Sequence, residues 1–314
     1  MARDIAGRIP DPTARGVVAI ARGMADYQTG RWRAALAGFD EAARTLRQNS
    51  DRVVFEISCP RRIAVSALFR LGELDEMCRR VPEYLREAEQ SGDLYGASAM
   101  RVGMGNAVWL IGDDPDTARA ECERGGACLS RMLEFSRDHY YQLLAQVHID
   151  LYVGDGEEAY QRLADSWPKL EKSMLLRIEV ERVYALFLRG RAALATAMLT
   201  PAGSARRRSL LAEIGRIRRR LAREELPGAL AAADMLAAGV ARLHDDIGRA
   251  VQLLTQAESG FRAAEMALAA AASRYRRGEL IGGAAGTRLL GEGESWMHSE
   301  KVKNAAAMAR LVAP

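Results

Sequence analysis

One short pattern recurs along this chain: an aromatic residue, two intervening residues, then a glycine. It occurs at Tyr27 and Gly30, Phe69 and Gly72, Trp109 and Gly112, Phe187 and Gly190, and Tyr275 and Gly278. A sixth copy places Leu151 before Gly154, with Tyr152 beside it. Successive glycines stand 42, 40, 42, 36 and 88 residues apart, and a turn at His244-Asp245-Asp246 divides the longest gap. A period of this size marks stacked supersecondary units, each too small to bury its apolar face alone.

The unit reads as an αα-hairpin. The aromatic residue closes the first helix and packs on its partner, and glycine ends that helix in the left-handed conformation that side chains disfavour. The second helix then opens with a small residue facing the first. In the first unit Gly30-Arg31-Trp32-Arg33-Ala34-Ala35 leads to Phe39 and Ala42; Ala35 and Phe39 lie one helical turn apart on one face. Ala159 and Leu163 repeat the spacing after Gly154-Asp155-Gly156. The expected fold is therefore all-α, an α-solenoid of about six to seven tetratricopeptide-like helical hairpins. It forms one helical-repeat domain over 1–314, with repeats near 14–49, 53–91, 95–133, 138–172, 174–200, 206–262 and 263–281 and a C-terminal cap over 284–312. Turns are expected at all six glycines of the pattern.

Composition agrees. Nearly half of the 314 residues are apolar, only 6% are aromatic, and proline is sparse at nine. Ala, Leu, Arg and Glu are good helix formers, and alternating β-branched runs are scarce. The formal charge of +4 demands no polyanionic partner. No apolar window is long enough to span a membrane, and the N-terminus lacks the apolar stretch of a signal peptide, so a cytoplasmic location is expected. The four cysteines (59, 78, 122, 128) are too few for a disulfide scaffold.

Beyond the generic repeat, a set of segments carries a closer likeness: Gly30-Arg31-Trp32-Arg33-Ala34-Ala35-Leu36, Ser91-Gly92-Asp93-Leu94-Tyr95, Trp109-Leu110 with Asp114-Pro115, Leu151-Tyr152-Val153-Gly154-Asp155-Gly156, and Trp296-Met297. Through these, over about residues 15–312, the chain resembles the helical-repeat C-terminal region of large bacterial serine/threonine protein kinases of the myxobacterial kind. It departs at Asn304-Ala305, where such proteins place a proline after the asparagine. The resemblance implies a kinase domain upstream in the same polypeptide. Its Gly-rich loop, strand lysine, His-Arg-Asp and Asp-Phe-Gly are absent from this sequence, so the activity does not transfer.

No cofactor, metal or catalytic residue is expected. There is no phosphate-binding Gly-Lys-Ser/Thr loop, and Gly282-Gly283-Ala284-Ala285-Gly286-Thr287 reads as an interhelical turn. The four histidines (139, 148, 244, 298) and the cysteines show no metal-ligand spacing. The acidic clusters Asp113-Asp114-Pro115-Asp116 and Gly156-Glu157-Glu158 stand at helix starts, where carboxylates cap free N–H groups. The arginine run from Arg206 to Arg223 flanks an apolar stripe of Leu210, Leu211, Ile214, Ile217 and Leu221, so its cations lie outside. A solvated face, an acidic protein partner or nucleic acid could account for it; the last lacks stacking aromatics.

The expected function is non-catalytic binding of a protein or peptide, as a scaffolding or sensing arm, with a small-ligand or peptide receptor as the alternative. In a solenoid the first helices form the inner wall, which nominates Arg62 and Ser66, Arg101 and Asn106, Gln142 and Gln146, and Arg177 and Glu181 as partner contacts. Ile5, Ile9, Val17, Ile20 and Met24 give the N-terminal edge an apolar face that a second copy could cover, making a homodimer.

Overall fold

The computed structural model describes residues 12–47, 54–127 and 134–314. Among them are sixteen α-helices and no strand. The helices pair in chain order: α1 (Pro12–Gln28) with α2 (Trp32–Arg47), α3 (Val54–Leu71) with α4 (Leu74–Ser91), and α5 (Leu94–Arg101) with α7 (Pro115–Gly126). In the third pair, a 3-10 turn at Gly103–Asn106 and the short α6 (Ala107–Ile111) extend the first arm. Then follow α8 (Arg137–Val153) with α9 (Gly156–Lys172), α10 (Glu179–Leu199) with α11 (Ala205–Leu221), α12 (Ala229–Leu243) with α13 (Ile247–Ala263), and α14 (Ala267–Ile281) with α15 (Gly283–Ser299). A last helix, α16 (Ala305–Val312), stands alone.

The local causes are those of an αα-hairpin. At Gly72 (φ 81°) the amide returns to the Leu68 carbonyl at 2.9 Å, and Glu73 N–H reaches the same carbonyl at 3.0 Å, so the reversal needs a residue without a Cβ. The next helix is then started by a side chain. Asp114, Asp155 and Asp246 each accept from the amide three residues on, at 3.0, 3.1 and 3.0 Å, which caps α7, α9 and α13. The capping role expected for the acidic clusters holds at Asp114. At Gly156-Glu157-Glu158, however, the cap is the preceding Asp155. Trp32, Ala35 and Phe39 are almost fully buried, as are Ala159 and Leu163, so both second helices present the expected face.

The glycine register fails at two of its six positions. Gly190 lies inside α10 and Gly278 inside α14. Neither has a positive φ, and both serve close packing instead. A Cβ on Gly190 would stand 2.5 Å from Leu236 Cδ1, and one on Gly278 would stand 2.8 Å from Gly286 O and from Leu290 N. The helix boundaries after residue 173 shift accordingly. The regions 174–200, 206–262 and 263–281 become the pairs α10/α11, α12/α13 and α14/α15, divided by turns at 200–204, His244–Asp246 and Gly282.

The assembly of pairs is not an open array. Its second half folds back over the hairpin turns of its first half, bringing α10 against α1, α14 against α3, and α16 against α8. Pro227 Cδ lies where a Cβ on Gly30 would clash, and the Leu268 amide does the same at Gly72. Polar contacts seal the seam. Glu300 Oε2 accepts from Leu74 N and Asp75 N at 2.8 and 3.1 Å, capping α4 from another hairpin. Lys303 N donates to Ile111 O at 3.0 Å, Asn304 Nδ2 donates to Asp113 Oδ1 at 3.2 Å, and Arg33 bridges Glu73 and Glu265.

The C-terminal cap expected over 284–312 is therefore two different things. α15 completes the seventh hairpin, while α16 buries Ala305, Met308, Leu311 and Val312 inside the closure rather than offering a polar outer face. Asn304 opens α16 by accepting from Ala307 N at 3.1 Å, so the last helix forms without a proline. At the N-terminal edge Ile5 and Ile9 lie outside the described residues. Val17 is exposed, while Ile20 and Met24 are half-buried, because α1 packs on α2, α3 and α10. An apolar face for a second copy is thus reduced, among the described residues, to Val17 and the edges of its neighbours.

Candidate functional site

Closure converts the expected inner wall into an interior. Arg62, Ser66 and Arg70 follow at single-turn spacing on α3 and are all buried, as is Glu181 of α10. Arg62 Nη1 pairs with Asp138 Oδ1 at 2.5 Å, and its guanidinium lies 4.7 and 5.1 Å from the ring centres of Tyr95 and Tyr141. Tyr141 OH donates to Glu181 Oε1 at 3.1 Å, and Tyr140 OH donates to the Glu181 carbonyl at 3.3 Å. Arg70 donates from Nε to Tyr27 OH at 3.3 Å and lies over Tyr184, Trp32 and Tyr27 at 4.5, 4.9 and 5.7 Å. Arg191 donates from Nη1 to Leu311 O at 2.8 Å and covers Phe187 at 4.7 Å. This hub joins α1, α3, α8, α10 and the closing helix.

Three buried guanidiniums would be costly without compensation. Asp138 serves Arg62. The faces of Tyr27, Trp32, Tyr184 and Phe187 serve Arg70 and Arg191 through cation–π attraction. Burial alone would lower the pKa of Arg70, but Tyr27, Tyr184 and Glu181 turn the shift upward, so it stays charged. Burial pushes the Glu181 carboxyl up, against the pull of Arg70 and Arg137.

His148, stacked on Phe69 and hydrogen-bonded through Nε2 to Tyr184 OH at 2.8 Å, is driven well below its ordinary value by burial and then by Arg191 and Arg70. The folded state thus refuses a proton that the unfolded state accepts below about pH 6.5. Stability on this account is present above that pH and lost as pH falls. Between pH 6.5 and 5 the wild type should lose up to about 2 kcal/mol relative to His148→Gln, at about 1.4 kcal/mol per pH unit. Urea denaturation at pH 5 and 7.5 checks this; parallel losses in both proteins would show that His148 is not the proton acceptor.

The nominated contact residues divide. Arg62, Ser66 and Glu181 come together in the hub. Asn106 is buried apart from them, donating from Nδ2 to Arg101 O at 2.9 Å and Ala118 O at 2.8 Å, and so locks the joint between α5, the 3-10 turn and α7. Arg101 is engaged by Glu121 at 2.8 Å and by Glu89. Gln142 and Gln146 are half-buried on α8, and the Gln142 amide sits over Gly126 of α7. Arg177 is exposed in the 3-10 turn Leu175–Arg177. No single open wall displays all eight. Arg70, Tyr184 and Arg191 complete the hub without having been singled out by sequence, together with Tyr27, read only as the aromatic of the first repeat, and His148, read only as lacking metal-ligand spacing. Only the Arg62-Ser66-Arg70 spacing could have flagged one of them.

The surface contributes a different arrangement on α11. Arg216, Arg219 and Arg220 near its C-terminal end, and Arg223 in the turn that follows, are spaced i, i+3, i+4 and i+7 and are exposed. Among the described residues none of the four forms an ion pair or a side-chain hydrogen bond. Two of the nearby carboxylates are engaged elsewhere: Glu213 pairs with Arg189 at 2.5 Å and accepts from Tyr160 OH at 2.7 Å, while Glu224 pairs with Arg182 at 2.5 Å; a third, Glu225, is exposed. The opposite face, Leu210, Ile214, Ile217 and Leu221, is buried. No helix among the described residues is long and apolar enough to cross a membrane. Compared with models of protein families, with curated proteins and with solved structures, the chain matches none of them.

Proposed function

We propose that this chain is a non-catalytic helical-repeat module that docks an acidic protein partner through the outer face of α11, as a scaffolding or regulatory arm. The unpaired stripe of Arg216, Arg219, Arg220 and Arg223 carries the reading. Elsewhere on this protein exposed arginines are repeatedly matched to carboxylates, as Arg79 is to Glu76 and Arg47 to Glu87. Here four cations crowd the C-terminal end of α11 and the turn after it, while Glu213 and Glu224 are paired elsewhere. Such a strip complements a row of carboxylates and steers its approach. Inside the module the hub and the seam hold the fold rigid, so that the stripe is presented as a fixed array. A serine/threonine kinase domain upstream is the arrangement that the sequence resemblance implies, and the neighbouring coding sequence tests it.

The stripe itself is tested by titrating the protein with polyglutamate and, in parallel, with duplex DNA at low salt. Polyglutamate should bind in a salt-dependent manner. Substituting all four residues (Arg216→Glu, Arg219→Glu, Arg220→Glu, Arg223→Glu) should weaken it by at least about tenfold, the sum of several exposed charge contacts, with an unchanged circular dichroism spectrum. Absence of polyglutamate binding, or tighter binding of DNA than of polyglutamate, would overturn the reading.

A further inference from the structure

Where the superhelix closes, a cavity of about 500 Å³ opens to solvent beside α16. Its floor is apolar: Leu151 from α8, and Ala195 and Met198 from α10, with Val153 and Leu199 exposed at the rim. Three arginines converge on it from three helices, Arg242 of α12, Arg276 of α14 and Arg310 of α16. They stand 34 residues apart in turn (242, 276, 310), each four residues after an Ala-Ala pair, Ala237-Ala238, Ala271-Ala272 and Ala305-Ala306. The helices that carry them start 38 residues apart, at Ala229, Ala267 and Ala305, so Arg242 stands in the last turn of α12, Arg276 in the third turn of α14 and Arg310 in the second turn of α16.

Their bonding leaves the positive charge largely unspent. Arg276 donates from Nε to Ala313 O at 2.6 Å and pairs with Glu279 at 2.7 Å. Arg310 donates one Nη1 bond to Tyr152 O at 3.0 Å, a neutral acceptor. Among the described residues Arg242 makes no side-chain hydrogen bond or ion pair, and it is exposed. Glu279 is, among the described residues, the one side-chain carboxylate bonded to any of the three, and Pro314 lines the groove beside them. Behind Arg242 and Arg276 a second cavity of about 20 Å³ continues between Ala238, Leu254 and Leu280. The site therefore combines a binding-sized volume, an apolar floor and a few convergent polar groups, which is the composition of small-molecule sites.

We infer that this groove binds an amphiphile with an anionic head, carboxylate or phosphate ester, on an apolar tail. The head meets the arginine row, whose planar forks suit either anion. The tail lies on Leu151, Ala195 and Met198 and covers Leu199 and Val153, removing apolar surface from water. Because the row comes from α12, α14 and α16 while the floor comes from α8 and α10, a bound amphiphile touches both halves of the closed superhelix. This site lies apart from the α11 stripe and does not depend on it.

Isothermal titration with decanoate, decyl phosphate and decanol, each below its micellar concentration, tests the inference. At least one anionic probe should bind about tenfold or more tighter than decanol, the better of the two identifying the head group. Arg242→Glu should weaken that probe by about tenfold or more, and Leu199→Ser should weaken it without abolishing the preference for an anion. Arg242 and Leu199 are exposed, so thermal unfolding of both variants should match the wild type. The quadruple α11 variant should bind the amphiphile unchanged. Binding of decanol as tight as the anions, no binding of either anion, or an Arg242→Glu variant that binds normally would each overturn the assignment.

Discussion

Phe39→Ala is expected to lower the free energy of unfolding by about 3–5 kcal/mol, the usual cost of emptying a large buried site. The ring is almost fully buried between α1 and α2. The site cannot relax cheaply, because glycines already bring these two helices together: a Cβ on Gly23 would stand 2.9 Å from Phe39 Cε1, and one on Gly38 would stand 3.0 Å from Gly23 Cα. With the backbones at closest approach beside the ring, the void has no path to collapse. Arg219→Ala is the matched control. Its side chain is exposed and unpaired, so its effect should stay within about 0.5 kcal/mol. Chemical denaturation of the two variants separates them, and equal losses would mean that the buried and exposed faces are wrongly assigned.

The second large effect is expected at the hub. Glu181→Leu should destabilise by about 3–5 kcal/mol, the range for stripping a partner from buried charge. The carboxylate accepts from Tyr141 OH at 3.1 Å and lies in the field of Arg70, Arg137 and Arg62. Without it Tyr141 keeps a buried donor with no acceptor, and the arginines lose their shared counter-charge. Arg70→Met removes one of those cations while leaving a chain that can rest on Tyr184 and Trp32. The double variant should therefore cost less than the two single changes together, by about 1 kcal/mol or more. Strict additivity would show that Glu181 and Arg70 do not sense each other.

Much of the first half was legible because its punctuation is chemical. Gly30, Gly72 and Gly154 take positive φ at true turns, and Asp114 and Asp155 cap the helices that follow. The same pattern misled at Gly190 and Gly278, where the missing Cβ admits a neighbouring helix. Sequence spacing does not distinguish a glycine that turns the chain from one that lets another element approach. Burial of Arg62, Ser66 and Glu181 was hidden for a related reason. Polar residues at helical spacing look like a solvated wall until a distant segment covers them, and the contacts of α14 and α16 with the first half are long-range. The row Arg242, Arg276 and Arg310 was present in the sequence at a regular interval, but a search keyed to aromatics and glycines passes over it.

The seam made by Glu300, Lys303, Asn304 and α16 changes how such a molecule can come apart. In an open array each repeat touches only its neighbours, so an end can fray while the middle stays folded. Here the C-terminal segment holds the second and third hairpins: the amides that begin α4 are capped from residue 300, and the Ile111 carbonyl is bonded from residue 303. Loss of the final helix uncovers the face of α8 on which it packs and also takes from Arg191 the carbonyl that holds it beside Tyr184 and Phe187. The axis and the rim are thereby coupled, and amides of α3 and α8 should exchange with solvent together with those of α14 and α16, as one cooperative unit instead of a gradient running inward from the tips.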